Sequence, residues 1–104
     1  MDKRNDIINK VKKYKRLVIS SNLLKNIEAV YLFGSFAKGS SNNNSDIDVA
    51  FIVENIDGNF FDIIPPISRL TETVDFRIEP HIIASDSDYG SMLKEIQKTG
   101  MLID

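Results

Sequence analysis

The sequence predicts a single α+β domain in which helices and short strands share one core. Three observations carry that prediction. A length of 104 residues with 42% hydrophobic content suits one core and leaves no room for a second. Apolar residues recur at helical spacing near both ends of the chain. Between these segments lie runs rich in β-branched and aromatic residues, some alternating and some continuously apolar.

The elements follow in order. Ile7, Ile8, Val11, Tyr14, Leu17 and Val18 recur near the helical period, with Lys10, Lys12, Lys13, Lys15 and Arg16 between them, which predicts an amphipathic helix over about 4–20. Ser20-Ser21-Asn22 marks its end. Residues 28–33 form a buried strand, and Gly34-Ser35 follows at once. Phe36 to Lys38 can begin a short helix before Gly39 and the polar run Ser40-Ser41-Asn42-Asn43-Asn44. Residues 46–53 start with alternation and finish as a continuous apolar run, as a central strand does. Asp57-Gly58 signals a turn. Phe60, Phe61, Ile63, Ile64, Ile67 and Leu70 give an apolar helical face interrupted near Pro65-Pro66.

Residues 73–84 read as a third strand, with Val74, Phe76 and Ile78 on one face and Asp75, Arg77 and Glu79 on the other. A last helix starts at Ser85, Asp86 or Ser87, runs through Tyr89, Met92, Leu93 and Ile96, and stops at Gly100. Met101 to Ile103 is expected as a short edge strand. The chain has no internal repeat, so one domain over 1–104 is the expectation.

Bulk properties narrow the function. Thirteen basic and fifteen acidic residues give a net charge of -2, which argues against broad phosphate neutralisation on duplex nucleic acid. The absence of cysteine excludes disulfides and thiolate metal sites. No apolar run approaches the roughly 20 residues that span a bilayer, so no membrane role is expected and a cytoplasmic protein is the default.

The chemistry concentrates in Gly34-Ser35-Phe36-Ala37-Lys38-Gly39 and Ser45-Asp46-Ile47-Asp48. A strand ending in Gly-Ser before a helical turn lets the backbone approach an anion and offers N–H groups and a hydroxyl to phosphate oxygens. Asp46 and Asp48 are two apart, so an extended strand projects both carboxylates from one face while Ile47 enters the other. Adjacent carboxylates repel unless a cation such as Mg²⁺ lies between them. Taken singly, each piece also fits a capped turn or a solvated acid; their combination points to a phosphate and metal site.

Through Gly34-Ser35, Gly39 and Ser45-Asp46-Ile47-Asp48, the sequence resembles the nucleotidyltransferases of the DNA polymerase beta superfamily. Its size makes it similar to the minimal nucleotidyltransferase branch, with the similarity running from about residue 28 to the end. The resemblance implies a polymerase beta-like fold, a small mixed β-sheet flanked by helices. It also implies transfer of a nucleoside monophosphate, AMP from ATP, to an acceptor hydroxyl with two divalent ions, Mg²⁺, in the complete site. Position by position, it makes Gly34 and Ser35 triphosphate contacts and Asp46 and Asp48 metal ligands. It places a third acid on a neighbouring strand, where Asp75 after Val74 matches best and Glu79 is a rival. Ser45 belongs to the nucleotide-binding motif. Lys38 and Arg77 are candidate phosphate contacts, Arg77 being equally able to pair with Asp75 or Glu79, and His81 is a candidate ligand or acceptor contact if Pro80 leaves the strand undisturbed.

The minimal branch is often paired with a small helical toxin of the HEPN type, and the implied reaction is adenylylation of a tyrosine on that partner. Two further readings share the same residues. One is an antitoxin that neutralises its partner by binding alone. The other is a transferase acting on a small molecule such as an aminoglycoside.

Overall fold

The computed structural model describes residues 4–39, 45–56, 60–86 and 91–104. Its elements are helix α1 (Arg4–Ser21), strand β1 (Ile27–Phe33), a single helical turn α2 (Ser35–Lys38), strand β2 (Ile47–Val53), helix α3 (Phe60–Leu70), a 3-10 turn (Thr71–Thr73), strand β3 (Ile78–Ala84), helix α4 (Ser91–Thr99) and strand β4 (Met101–Leu102). Among the described residues the sheet runs in the order β3-β2-β1-β4. β1 is antiparallel to β2 and to β4, whereas β2 and β3 are parallel. The parallel pair needs a crossover, which α3 supplies. The fold is the expected mixed sheet flanked by helices.

Alternation along the strands gives the sheet two unlike faces. Val30 and Leu32 of β1, Ile47, Val49 and Phe51 of β2, and Ile78 of β3 are buried in the larger core. Ile7, Val11, Tyr14 and Val18 of α1 and Ile67 of α3 close over them. The α1 residues recur at the spacing of one helical stripe, so the basic residues between them fall outside that stripe. On the other face, Ala50, Ile52 and Ile83 pack with Ile96 of α4 in a smaller core, with Ala29, Tyr31, Phe33 and Leu93 at its margin.

Tyr14 ties the larger core together. It is fully buried, its ring meets Phe51 edge-on at 5.8 Å, and its hydroxyl donates to the Ile67 carbonyl at 2.6 Å. Burial disfavours the phenolate and raises the Tyr14 pKa above its ordinary value.

Three expectations are corrected. Pro65 and Pro66 do not interrupt α3, which runs through both. Interior prolines forfeit helical hydrogen bonds, but Ile67 is buried while Ile63 and Leu70 pack against the core, and tertiary packing outweighs the local penalty. The third strand starts at Ile78 and not at residue 73, because Asp75 diverts the chain. Asp75 Oδ1 accepts from the Arg77 backbone N–H at 2.9 Å, and the Val74 and Asp75 N–H groups both donate to the Thr71 carbonyl. This local bonding competes with a strand ladder, and it leaves Phe76 83% exposed instead of on a buried face. The last helix does not start at Ser85 or Asp86, which form a turn, and it is described from Ser91. The polar run 40–44, the turn signal Asp57-Gly58, and Ser87 and Tyr89 lie outside the described residues.

No helix among the described residues is long and apolar enough to cross a membrane.

Replacing Tyr14 by Phe removes one buried hydrogen bond and is expected to lower stability by about 1 kcal/mol. Replacing it by Ala should cost about 3–5 kcal/mol through the cavity left beside Phe51. Urea unfolding followed by circular dichroism measures both.

Candidate functional site

The smaller core fills only part of its sheet face. Towards the N-terminal ends of β2 and β3 the same face becomes polar, because Asp48 precedes Ala50 and Ile52 on β2, and Glu79 and His81 precede Ile83 on β3. Parallel register sets Asp48 opposite Glu79 and Ala50 opposite His81. A carboxylate oxygen of Asp48, one of Glu79 and a ring nitrogen of His81 all lie within 4.8 Å of one another. His81 Nε2 stands 3.3 Å from Asp48 Oδ1 and 3.8 Å from Glu79 Oε1.

β1 supplies the third wall. Phe33 is the register partner of Asp48, and its ring meets the His81 imidazole edge-on with centroids 5.1 Å apart. Gly34 follows with φ 75° and ψ -150°, a conformation essentially confined to glycine. A Cβ at this position would collide with the Asp48 carboxylate. The glycine therefore allows the turn and also leaves room for Asp48. α2 springs from it, the Lys38 N–H donating to the Gly34 carbonyl and Gly39 closing the turn in the left-handed conformation.

The remaining sequence candidates divide. Asp46 is exposed immediately before β2 and stands outside the Asp48–Glu79–His81 cluster. Ser35 opens α2, half-buried, and Lys38 ends it, exposed. Ser45 is half-buried before Asp46.

Asp75 is not brought to the cluster. Its side chain is 7% exposed and is held by Lys10 of α1 at 2.9 Å and by the Arg77 guanidinium at 2.7 and 3.0 Å. Arg77, half-buried, lies with its guanidinium 5.9 Å above the Phe36 ring. The hydrogen bond from Arg77, offset in part by burial and reinforced by Lys10, holds the Asp75 carboxyl well below the usual range. The sequence preference for Asp75 over Glu79 rested on its place after Val74. Pro80 leaves the strand undisturbed, since a residue before proline is pushed towards extended backbone, and Glu79 and His81 keep the face that carries Asp48. Pro80 is tolerated because β3 is an edge strand. The contact of Phe33 with His81 and the dependence of Asp48 on Gly34 needed the strand register to be seen.

Oxygen donors from Asp48 and Glu79 suit a hard divalent cation, and the glycine turn at the end of β1 suits a phosphate. Residues 5–103 match the family described as polymerase beta, nucleotidyltransferase. The chain belongs to that family. The match begins inside α1 and so reaches further towards the N-terminus than the resemblance from residue 28. The domain is a nucleotidyltransferase.

Comparison with curated protein sequences returns no match. Among solved structures, the chain is similar to a Sulfolobus solfataricus protein assigned to the nucleotidyltransferases, with 27% identity and a TM-score of 0.67 over 95% of this chain and 80% of that one. It is also similar to a toxin-antitoxin structure with AMP-PNP (22% identity, TM-score 0.61, 93% and 72% coverage). A third similar structure is a mutant of the toxin-antitoxin MntA-HpeT (18% identity, TM-score 0.58, 86% and 70% coverage). The last two show likeness of fold.

Two predictions follow from the site's construction. Gly34→Ala should displace Asp48 and lower transfer activity by about 100-fold, on the scale of losses that misplaced reacting groups produce. Steady-state kinetics beside a thermal melt separates this from unfolding. Asp75→Asn should destabilise the fold by about 1–3 kcal/mol, because a hydrogen-bonded charge is lost. A depressed folded pKa contributes stability that is complete above the unfolded value of about 3.9 and is lost on acidification towards the folded one. The stability gap between parent and variant should therefore be full at neutral pH and narrow below about pH 4, as urea unfolding across pH can measure.

Proposed function

We propose that the chain transfers AMP from ATP to an acceptor hydroxyl, and that the acceptor is a tyrosine on a small helical toxin of the HEPN type. The observation that carries the transfer reading is the juxtaposition of Asp48 and Glu79 on paired strands beside the Gly34 turn. In this reading Gly34 and Ser35 seat the triphosphate, with Ser45, Lys38 and Arg77 as further nucleotide contacts. Asp46, Asp48 and Glu79 hold divalent cations, Mg²⁺ by their oxygen donors. Bound there, the cations neutralise triphosphate charge and favour departure of pyrophosphate.

Glu79 takes the role of third acid in preference to Asp75. Asp75 would have to give up Lys10 and Arg77 and move to the other residues, whereas Glu79 already faces Asp48. The Glu79 carboxylate accepts the proton of the attacking hydroxyl. The acceptor oxygen bonds to the α-phosphorus as the bond from that phosphorus to the bridging oxygen breaks, and pyrophosphate leaves with the electron pair. Asp46 and Asp48 remain ionised throughout.

The partner reading draws its support from resemblance to the minimal branch and from the toxin-antitoxin context of two structures of similar fold, one of them solved with AMP-PNP. The test is transfer of label from α-labelled ATP, with Mg²⁺, to the product of a neighbouring gene. Asp46→Ala, Asp48→Ala and Glu79→Gln should each lower labelling by about 100-fold or more while leaving the fold intact. If the parent transfers no label and the Asp46 and Asp48 variants still bind and neutralise the partner, the catalytic reading gives way to neutralisation by binding. Label on an aminoglycoside instead would place the acceptor among small molecules.

A further inference from the structure

We infer that His81 is itself a ligand of the cation held by Asp48 and Glu79, and that this nitrogen makes the position bind a divalent transition-metal ion more tightly than Mg²⁺, even without nucleotide. The location of the cation rests on the nucleotidyl-transfer reading. The nitrogen ligand and the preference it confers go beyond it.

The distances support coordination over a settled hydrogen bond. A committed bond between a charged donor and a carboxylate closes to about 2.7–2.9 Å. Asp75 shows such closure in this chain, with contacts of 2.7 and 2.9 Å to Arg77 and Lys10. His81 Nε2 behaves differently, standing 3.3 Å from one carboxylate and 3.8 Å from another, close to both and tightly bonded to neither. Ligand atoms about 2.0–2.2 Å from a shared ion lie about 3–3.5 Å from one another, which is the spacing of Nε2 and Asp48 Oδ1, with Glu79 a small side-chain adjustment away.

The imidazole is also positioned from outside the cluster. Phe33 meets its ring edge-on, and strand register fixes its backbone opposite Ala50, one pleat from the Asp48–Glu79 pair. Both restraints belong to the sheet.

The chemistry of the donor set then decides the preference. Mg²⁺ takes oxygen ligands and keeps its waters, gaining little from an imidazole. Imidazole nitrogen suits Zn²⁺ and the later first-row ions, and affinity for a mixed nitrogen and oxygen site rises along that series. Asp48, Glu79 and His81 provide two carboxylates and one imidazole and leave other positions for water or phosphate oxygens.

His81 is the chain's one histidine, so its ring nitrogens can be observed directly. The experiment is ¹⁵N NMR of the whole, nucleotide-free chain, titrated with Zn²⁺ as a diamagnetic probe and separately with Mg²⁺. Zn²⁺ should shift the Nε2 resonance far more than Nδ1, and Mg²⁺ should leave both near their metal-free positions. The Zn²⁺ response should vanish in Asp48→Asn and Glu79→Gln. In parallel, Co²⁺ binding followed by its visible absorption, with Mg²⁺ competition, should show His81→Ala losing about tenfold or more in Co²⁺ affinity, at least the loss seen when a ligand's supporting partners are removed. Mg²⁺ affinity should change little, so the ratio between the two ions falls.

An unmoved Nε2 at saturating Zn²⁺ overturns the inference, as does a shift that persists in both carboxylate variants or an unchanged Co²⁺ to Mg²⁺ ratio in His81→Ala. Should His81→Ala not fold, the ¹⁵N spectrum of the parent decides alone. Label transfer with Mg²⁺ is read separately, so a chain that transfers AMP while its histidine ignores Zn²⁺ sinks this inference and leaves the transfer reading standing.

Discussion

Parallel pairing of β2 with β3 sets the geometry on which both halves of the molecule depend, because it aligns the alternation of two neighbouring strands. On one face the alignment continues Ile47, Val49 and Phe51 into Ile78, and the larger core forms under α1 and α3. On the opposite face it continues Asp48 into Glu79 and Ala50 into His81. A shift of one residue in either strand would turn the acids into the core and the apolar residues to the site, so core burial enforces the register that assembles the polar cluster. Stability and chemistry are thereby coupled through the pleat and not through any contact between the two faces.

The division of labour among the acids follows from this. Asp48 and Glu79 stand on paired strand positions, where backbone hydrogen bonding holds their Cα atoms while their carboxylates remain close to one another. Asp75 lies before the strand begins and is neutralised by two cations, one from α1 and one two residues along the chain. That arrangement fastens the start of β3 to α1. A carboxylate so engaged contributes to the fold's integrity.

Most elements were legible in the sequence because each carries its own period. The α1 stripe, the apolar run of β2 and the glycine at the end of α4 needed no tertiary information. The glycine turn after β1 was legible for the same reason, whereas Asp46 falls just before β2 and outside the cluster that Asp48 joins. What the sequence left ambiguous was decided between elements. The alternation of residues 73–78 looked like a strand until the Asp75 side chain captured the Arg77 N–H, and Pro65-Pro66 looked like a break until burial of Ile67 outweighed it. The different surroundings of Asp75 and Glu79 belong to the same class, because the partners each acid meets are set in space.

Pro80 has a consequence beyond being tolerated. The Ile47 N–H donates to Arg77 and the Ser85 N–H donates to Val53, and this alternation directs the Pro80 nitrogen away from β2, towards the open edge of the sheet. The row of donors that an edge strand would offer an incoming chain is therefore interrupted at its middle. At the other margin, β4 is only two residues long. Among the described residues, an incoming strand would meet along β3 a donor row broken at its centre, so the proline that the fold tolerates also blunts one margin of the sheet.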